Sequence, residues 1–166
     1  MKQSPVPTRS CVWLLLLLVC GALCAGPAAA DPAYVRQPDL HGDQLVFCAE
    51  SDLWLMTIDG RNGAVPRRLT THAGNESAPQ FSPDGKLVAF TALYDGNSDV
   101  YVVPATGGEP RRLTWHPGHD EVVGWLDDGR YVLLRSSRHD PVGSQHLYKV
   151  DLQGGDPQEL PLGWAS

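Results

Sequence analysis

Pro66-Arg67-Arg68-Leu69-Thr70 returns letter for letter as Pro110-Arg111-Arg112-Leu113-Thr114, 44 residues further along the chain. Other landmarks keep nearly the same step. Gly42, Gly85 and Gly129 recur at this interval, and each is followed by a short apolar run: Leu45-Val46-Phe47, Leu87-Val88-Ala89-Phe90 and Tyr131-Val132-Leu133-Leu134. A second apolar run follows in every copy, at Asp52-Leu53-Trp54-Leu55-Met56, Asp99-Val100-Tyr101-Val102-Val103 and His146-Leu147-Tyr148-Lys149-Val150. The third copy closes on Pro157-Gln158-Glu159-Leu160-Pro161, a degenerate pentapeptide that keeps the first Pro and the Leu. A step of this length with several strand signals per copy is that of β-propeller blades, and no run at helical spacing follows residue 30.

The second copy divides most cleanly. Strands are expected over Ser77–Phe81, Lys86–Leu93, Asp99–Val103 and Pro110–Thr114. Between the first two lies Ser82-Pro83-Asp84-Gly85, where proline fixes one φ and glycine frees another, as a tight turn requires. The same offsets place blades at about 34–70, 77–114 and 121–160. The fold class is therefore all-β, a partial β-propeller of about three four-stranded blades within residues 31–166. Closed propellers typically have four to eight blades, so the chain is expected to be one part of a ring, with its first and third blades presenting open faces. Trp54, Trp115, Trp125 and Trp164 are expected between blades.

Residues 1–30 have the pattern of a secretory signal peptide. Lys2 and Arg9 precede an apolar run from Val12 to Val19, and Ala28-Ala29-Ala30 offers a cleavage site before Asp31. The run falls short of the roughly 20 apolar residues a membrane span needs, so export to the periplasm without a retained anchor is expected. Cleavage would remove Cys11, Cys20 and Cys24, leaving Cys48 as a single buried thiol. It would also remove Lys2 and Arg9, taking the net charge from −6 to −8. An acidic chain whose only basic pairs recur at equivalent strand positions argues against nucleic-acid binding.

Three groupings resemble chemistry without completing it. Asp95-Gly96-Asn97-Ser98-Asp99 begins like a calcium loop, but Val100 stands where that loop turns on glycine and Thr106 where it needs a bidentate glutamate; the stretch is expected to be a polar hairpin loop. His116 and His119 flank Pro117-Gly118, a turn, so they lack the shared face of a helical zinc pair. His72 holds the place of His116 one copy earlier, the mark of a structural histidine. No serine has the Gly-x-Ser-x-Gly setting of an activated nucleophile.

The turn Phe81-Ser82-Pro83-Asp84-Gly85-Lys86, the strand Asp99–Val103 and the ending Gly107-Gly108-Glu109-Pro110-Arg111-Arg112-Leu113-Thr114 resemble the propeller repeat shared by TolB and tricorn-type proteases. The opening Tyr34-Val35-Arg36-Gln37-Pro38-Asp39-Leu40-His41-Gly42-Asp43, with Val122-Val123-Gly124-Trp125 and Arg135-Ser136-Ser137-Arg138, is similar to the first propeller of tricorn proteases. That resemblance implies a noncatalytic N-terminal propeller that gates or scaffolds peptide access, followed by further blades, a second propeller, a PDZ module and a serine-protease core. The family's catalytic serine and histidine belong to the later modules, so no catalytic, cofactor-binding or metal-binding residue is assigned here, and no cofactor is implied. Expected partners are peptides or proteins at the propeller, the remaining blades and the protease modules. The alternative is a TolB-like envelope module that binds proteins; a propeller lid of a prolyl-oligopeptidase-type enzyme is a third.

Overall fold

The computed structural model describes residues 35–58, 65–126, 129–139 and 144–161. Residues 1–30, expected to be a signal peptide, Trp164 and the residues beside the Gly129 turn lie outside them. Among the described residues, twelve strands fall into three antiparallel four-stranded sheets, each running in chain order from one edge to the other. The first is β1 (Arg36–His41), β2 (Gln44–Ala49), β3 (Asp52–Thr57) and β4 (Arg67–Arg68). The second is β5 (Glu76–Phe81), β6 (Leu87–Ala92), β7 (Asp99–Pro104) and β8 (Arg111–Arg112), and the third β9 (Asp120–Trp125), β10 (Tyr131–Ser136), β11 (His146–Asp151) and β12 (Gln158–Glu159). The fold class read from the repeat is the one observed.

Alternation along the strands decides how the sheets stack. In β6 and β7 Val88, Phe90, Ala92, Tyr101 and Val103 pack against Val46, Cys48, Leu53 and Leu55 of the first sheet. The intervening Ala89, Val100 and Val102 pack against Val122, Val132, Leu134, Tyr148 and Val150 of the third. The centre of the middle sheet is thus buried on both faces, and its two central strands, β6 and β7, are nearly continuous apolar runs. In the third sheet Val132, Leu134, Tyr148 and Val150 are buried while Tyr131, Leu133, Leu147 and Lys149 on the other face are partly open.

The Pro-Asp-Gly turn forms as its residues require. Gly85 N donates to Ser82 O at 2.8 Å, and Asp84 Oδ1 accepts from Ser82 Oγ and from Lys86 N. Gly85 has φ +70°, and a Cβ there would lie 2.3 Å from the His41 ring of the first sheet. The turn can therefore nest beside the neighbouring blade only as glycine.

The fourth strands are shorter than the sequence suggests, pairing at two positions each. Pro66 and Pro110 cap them without an N–H to donate. One more bond continues each edge, from Leu69 N to Leu53 O, Leu113 N to Val100 O and Leu160 N to Leu147 O, all 2.7–2.8 Å.

Candidate functional site

Two surfaces could meet another molecule. The first is the edge where β1, β5 and β9 lie side by side; the fourth strands stand at the opposite edges of their sheets. Each of the three inner strands carries a bulge. In β1 and β5 it centres on Gln37 and Ala78, at φ +48° and +49°, each followed by a proline, Pro38 or Pro79. A bulge tolerates proline because its N–H has no ladder partner there. The bulges turn polar groups sideways, so the strands are stitched across sheets: Ala78 N donates to Gln37 Oε1 at 3.0 Å, Phe81 N to Asp39 Oδ2 at 2.7 Å, and Trp125 Nε1 to Gln80 O at 3.0 Å. Arg36, Pro38 and Val123 remain exposed along this edge.

The second surface is a cleft of about 500 Å³ between the first and second sheets. It is lined by Leu69–His72, Tyr94, Asp95, Tyr101, Gly108–Pro110, Arg112 and Trp115. None of these belongs to the inner strands. His72 lies tilted against Tyr94 with ring centroids 3.7 Å apart, and Tyr94 meets Tyr101 at 4.7 Å. Trp115 is 63% exposed, so this tryptophan, expected between blades, opens to solvent instead. It follows the last buried residue of its blade, Thr114, and begins the loop to the next.

The recurring arginines act as latches. Arg112 Nη2 meets buried Asp99 at 2.6 Å, its Nη1 meets Asp95 at 2.8 Å, and Nε donates to Thr114 O at 2.7 Å. Arg68 repeats the arrangement one blade earlier with Asp52 at 3.2 Å and Glu50 at 2.8 Å. In the third blade Glu159 occupies the arginine's place and His146 the aspartate's, with His146 Nδ1 2.8 Å from Glu159 Oε1. Burial raises the Asp52 and Asp99 carboxyls, and the arginines oppose that shift.

Beneath the cleft lies a carboxylate. Glu76, the first residue of β5, is 2% exposed and accepts from Leu53 N at 2.8 Å and from the Thr70 and Tyr94 hydroxyls. Burial raises its carboxyl above the ordinary range, with those three donors pulling it back. Burial and the bond to Glu76 push the Tyr94 phenol upward as well. Cys48 is buried, and its thiol is pushed up to about 12 chiefly by that burial, which makes it inert as a nucleophile.

The other groupings singled out in the sequence serve the loops. Asp95 is taken by Arg112, the Asn97 amide donates to Asp99 and to His116 O, and Ser98 Oγ donates to Asp120 O. His116 Nδ1 accepts from Gly118 N at 2.9 Å, as His72 Nδ1 accepts from Gly74 N at 3.0 Å. Gly74 is required there, since a Cβ would sit 2.2 Å from Leu93 O. His119 Nε2 lies 3.8 Å from Glu121 Oε2.

The model of the tricorn protease N-terminal β-propeller domain matches residues 32–166. The chain belongs to that family. A tricorn-like protease N-terminal subunit of Sulfurisphaera tokodaii is 31% identical over 136 residues, covering 78% of this chain and 67% of that protein. A tricorn protease homologue of Streptomyces coelicolor is 45% identical over 76 residues, 46% of this chain and 6% of the homologue. The crystal structure of the tricorn protease superposes with a TM-score of 0.67 at 25% identity, over 76% of this chain and 13% of that one. TolB from Acinetobacter baumannii superposes over the same share, 32% of its own chain, with a TM-score of 0.64 at 25% identity. The chain thus spans a small part of the large tricorn homologues it matches, and its three sheets are blades of a tricorn N-terminal propeller.

Proposed function

We propose that this chain is a noncatalytic N-terminal propeller portion of an exported tricorn-like serine peptidase, and that it gates or scaffolds the access of peptides to protease modules. The family match over residues 32–166 carries this reading. Support from the molecule comes from the inner strands, which are bulged, stitched to one another and set with Arg36, Gln37, Ser77 and Glu121. An edge lined with polar groups and strand backbone offers main-chain and side-chain partners to an extended peptide. Residues 1–30 act in this proposal as a signal peptide removed before Asp31, delivering the chain to the periplasm.

A TolB-like protein-binding module is the second reading, favoured by the nearly equal superposition on TolB. Photo-crosslinking separates the two. A peptide carrying a photoreactive residue is expected to label β1, β5 or β9 of the mature chain, whereas capture of a folded envelope protein without peptide labelling supports the TolB-like role. Export is tested by mass spectrometry of the periplasmic fraction, where a chain beginning at Asp31 is expected and an intact Met1 in the membrane fraction overturns it.

A further inference from the structure

The cleft between the first and second blades has a charge balance opposite to its arginine's prominence. Arg112 is the cation among its lining residues apart from the histidine, and its guanidinium is already committed to Asp99, Asp95 and Thr114 O. One buried carboxylate, Asp99, uses up that charge. The surplus at the mouth is negative: Asp95, its side chain 68% exposed, shares the single charge of Arg112 with Asp99, and Glu109 is exposed without an ion pair among the described residues. Beside these carboxylates stands Trp115, 63% exposed although the Arg112 guanidinium lies 5.8 Å from its ring centroid, with the tilted His72–Tyr94 pair and Pro110 completing an apolar wall.

An exposed indole next to surplus carboxylates matches one chemistry, a cation carried on an alkyl stem. The ring face and apolar wall take the stem and attract the charge, while the carboxylates supply the counter-ion. About 500 Å³ lies within the range of small-molecule pockets and exceeds what one side chain fills, which leaves room for flanking backbone. We propose that this cleft binds an arginine or lysine side chain presented by an extended peptide, held by Trp115 and by Asp95 and Glu109. The cleft shares no residue with β1, β5 or β9, so it constitutes a separate docking point at the blade margin, and its failure would leave the inner-strand role untouched.

The test uses the full mature chain with 15N-labelled tryptophan, its Trp115 indole signal assigned by comparison with Trp115→Phe. Acetyl-Gly-Arg-Gly-amide and acetyl-Gly-Lys-Gly-amide are expected to shift that signal saturably at low salt, and acetyl-Gly-Gln-Gly-amide to do so far more weakly. Argininamide distinguishes a free cation from a peptide; it is expected to bind more weakly than the tripeptide. Glu109→Gln, at an exposed side chain that holds nothing in the fold, is expected to weaken the arginine peptide by about threefold, the scale of one exposed charge pair, and added salt to weaken it further. Equal shifts with the glutamine peptide, no saturable shift with either basic peptide, or affinity indifferent to both Glu109→Gln and salt would overturn the proposal.

Discussion

Arg138 donates through Nη2 to Asp120 Oδ2 at 2.7 Å, with both side chains withdrawn from solvent. Arg138 stands 44 residues after Tyr94, which makes the corresponding bond to Glu76 one blade earlier. Each inner strand of the second and third blades therefore begins on a buried carboxylate held by a residue just beyond the second strand of its own sheet. Removing the arginine alone strands a buried charge. Arg138→Ala is expected to lower the unfolding free energy by about 3–5 kcal/mol, and adding Asp120→Asn to return a large part of that loss. Urea titrations of the two variants measure it.

Glu76 makes stability depend on pH with a defined sign. Burial raises its carboxyl, so the folded protein holds the proton more tightly than the unfolded chain, whose glutamates titrate at about 4.3. Stability from this group is therefore greatest below that value and declines as pH rises through the higher folded one. Asp52 and Asp99 shift in the same direction by burial. Glu76→Gln keeps the shape and an acceptor for Leu53 N. It is expected to flatten the decline in melting temperature between about pH 4 and pH 7; an unaltered decline would place the effect on the two aspartates.

Leu133 and Leu134 are neighbours on β10 that face opposite ways. Leu134 is fully buried against the second blade, while Leu133 lies on the partly open face. Leu134→Ala is expected to cost about 2–5 kcal/mol, and Leu133→Ala no more than about half as much, because a truncated side chain that borders water leaves no closed cavity. Chemical denaturation of the pair checks the orientation of the whole sheet.

Cys48 gives a probe of the first blade interface. A thiol pushed up to about 12 and closed in among Val46, Leu53 and Val88 should not react with a thiol reagent in the native state. Labelling is expected to rise only with unfolding, which a denaturant series read by mass spectrometry follows; rapid labelling of the native protein would mean that the first two blades separate readily.

The strands were readable because alternation and turn chemistry repeat with the blade. Residues 77–81 and 99–103 fall inside observed strands, and the Pro-Asp-Gly turn lies where its residues require it. The polar architecture was not readable by identity. Tyr94 and Arg138 do one job with different chemistry, and Glu159 with His146 stands where Arg112 pairs with Asp99 one blade earlier. Only register aligns such positions. The inner-strand bulges did leave a signal, since Pro38 and Pro79 stand inside strand patterns where an uninterrupted ladder would not admit them. The cleft left none: His72, Tyr94 and Trp115 come from three separate loops and meet only once the sheets have stacked.

The burial of the middle sheet on both faces also orders the chain in time. Backbone amides exchange with solvent deuterium only when a local opening exposes them, and openings are rarest where packing closes both sides. The paired amides of β6 and β7 would then be the last to exchange, those of β10 and β11 intermediate, and the two-residue outer strands the first, so that the slowest-breathing part of this molecule is the blade farthest from either end of the described chain.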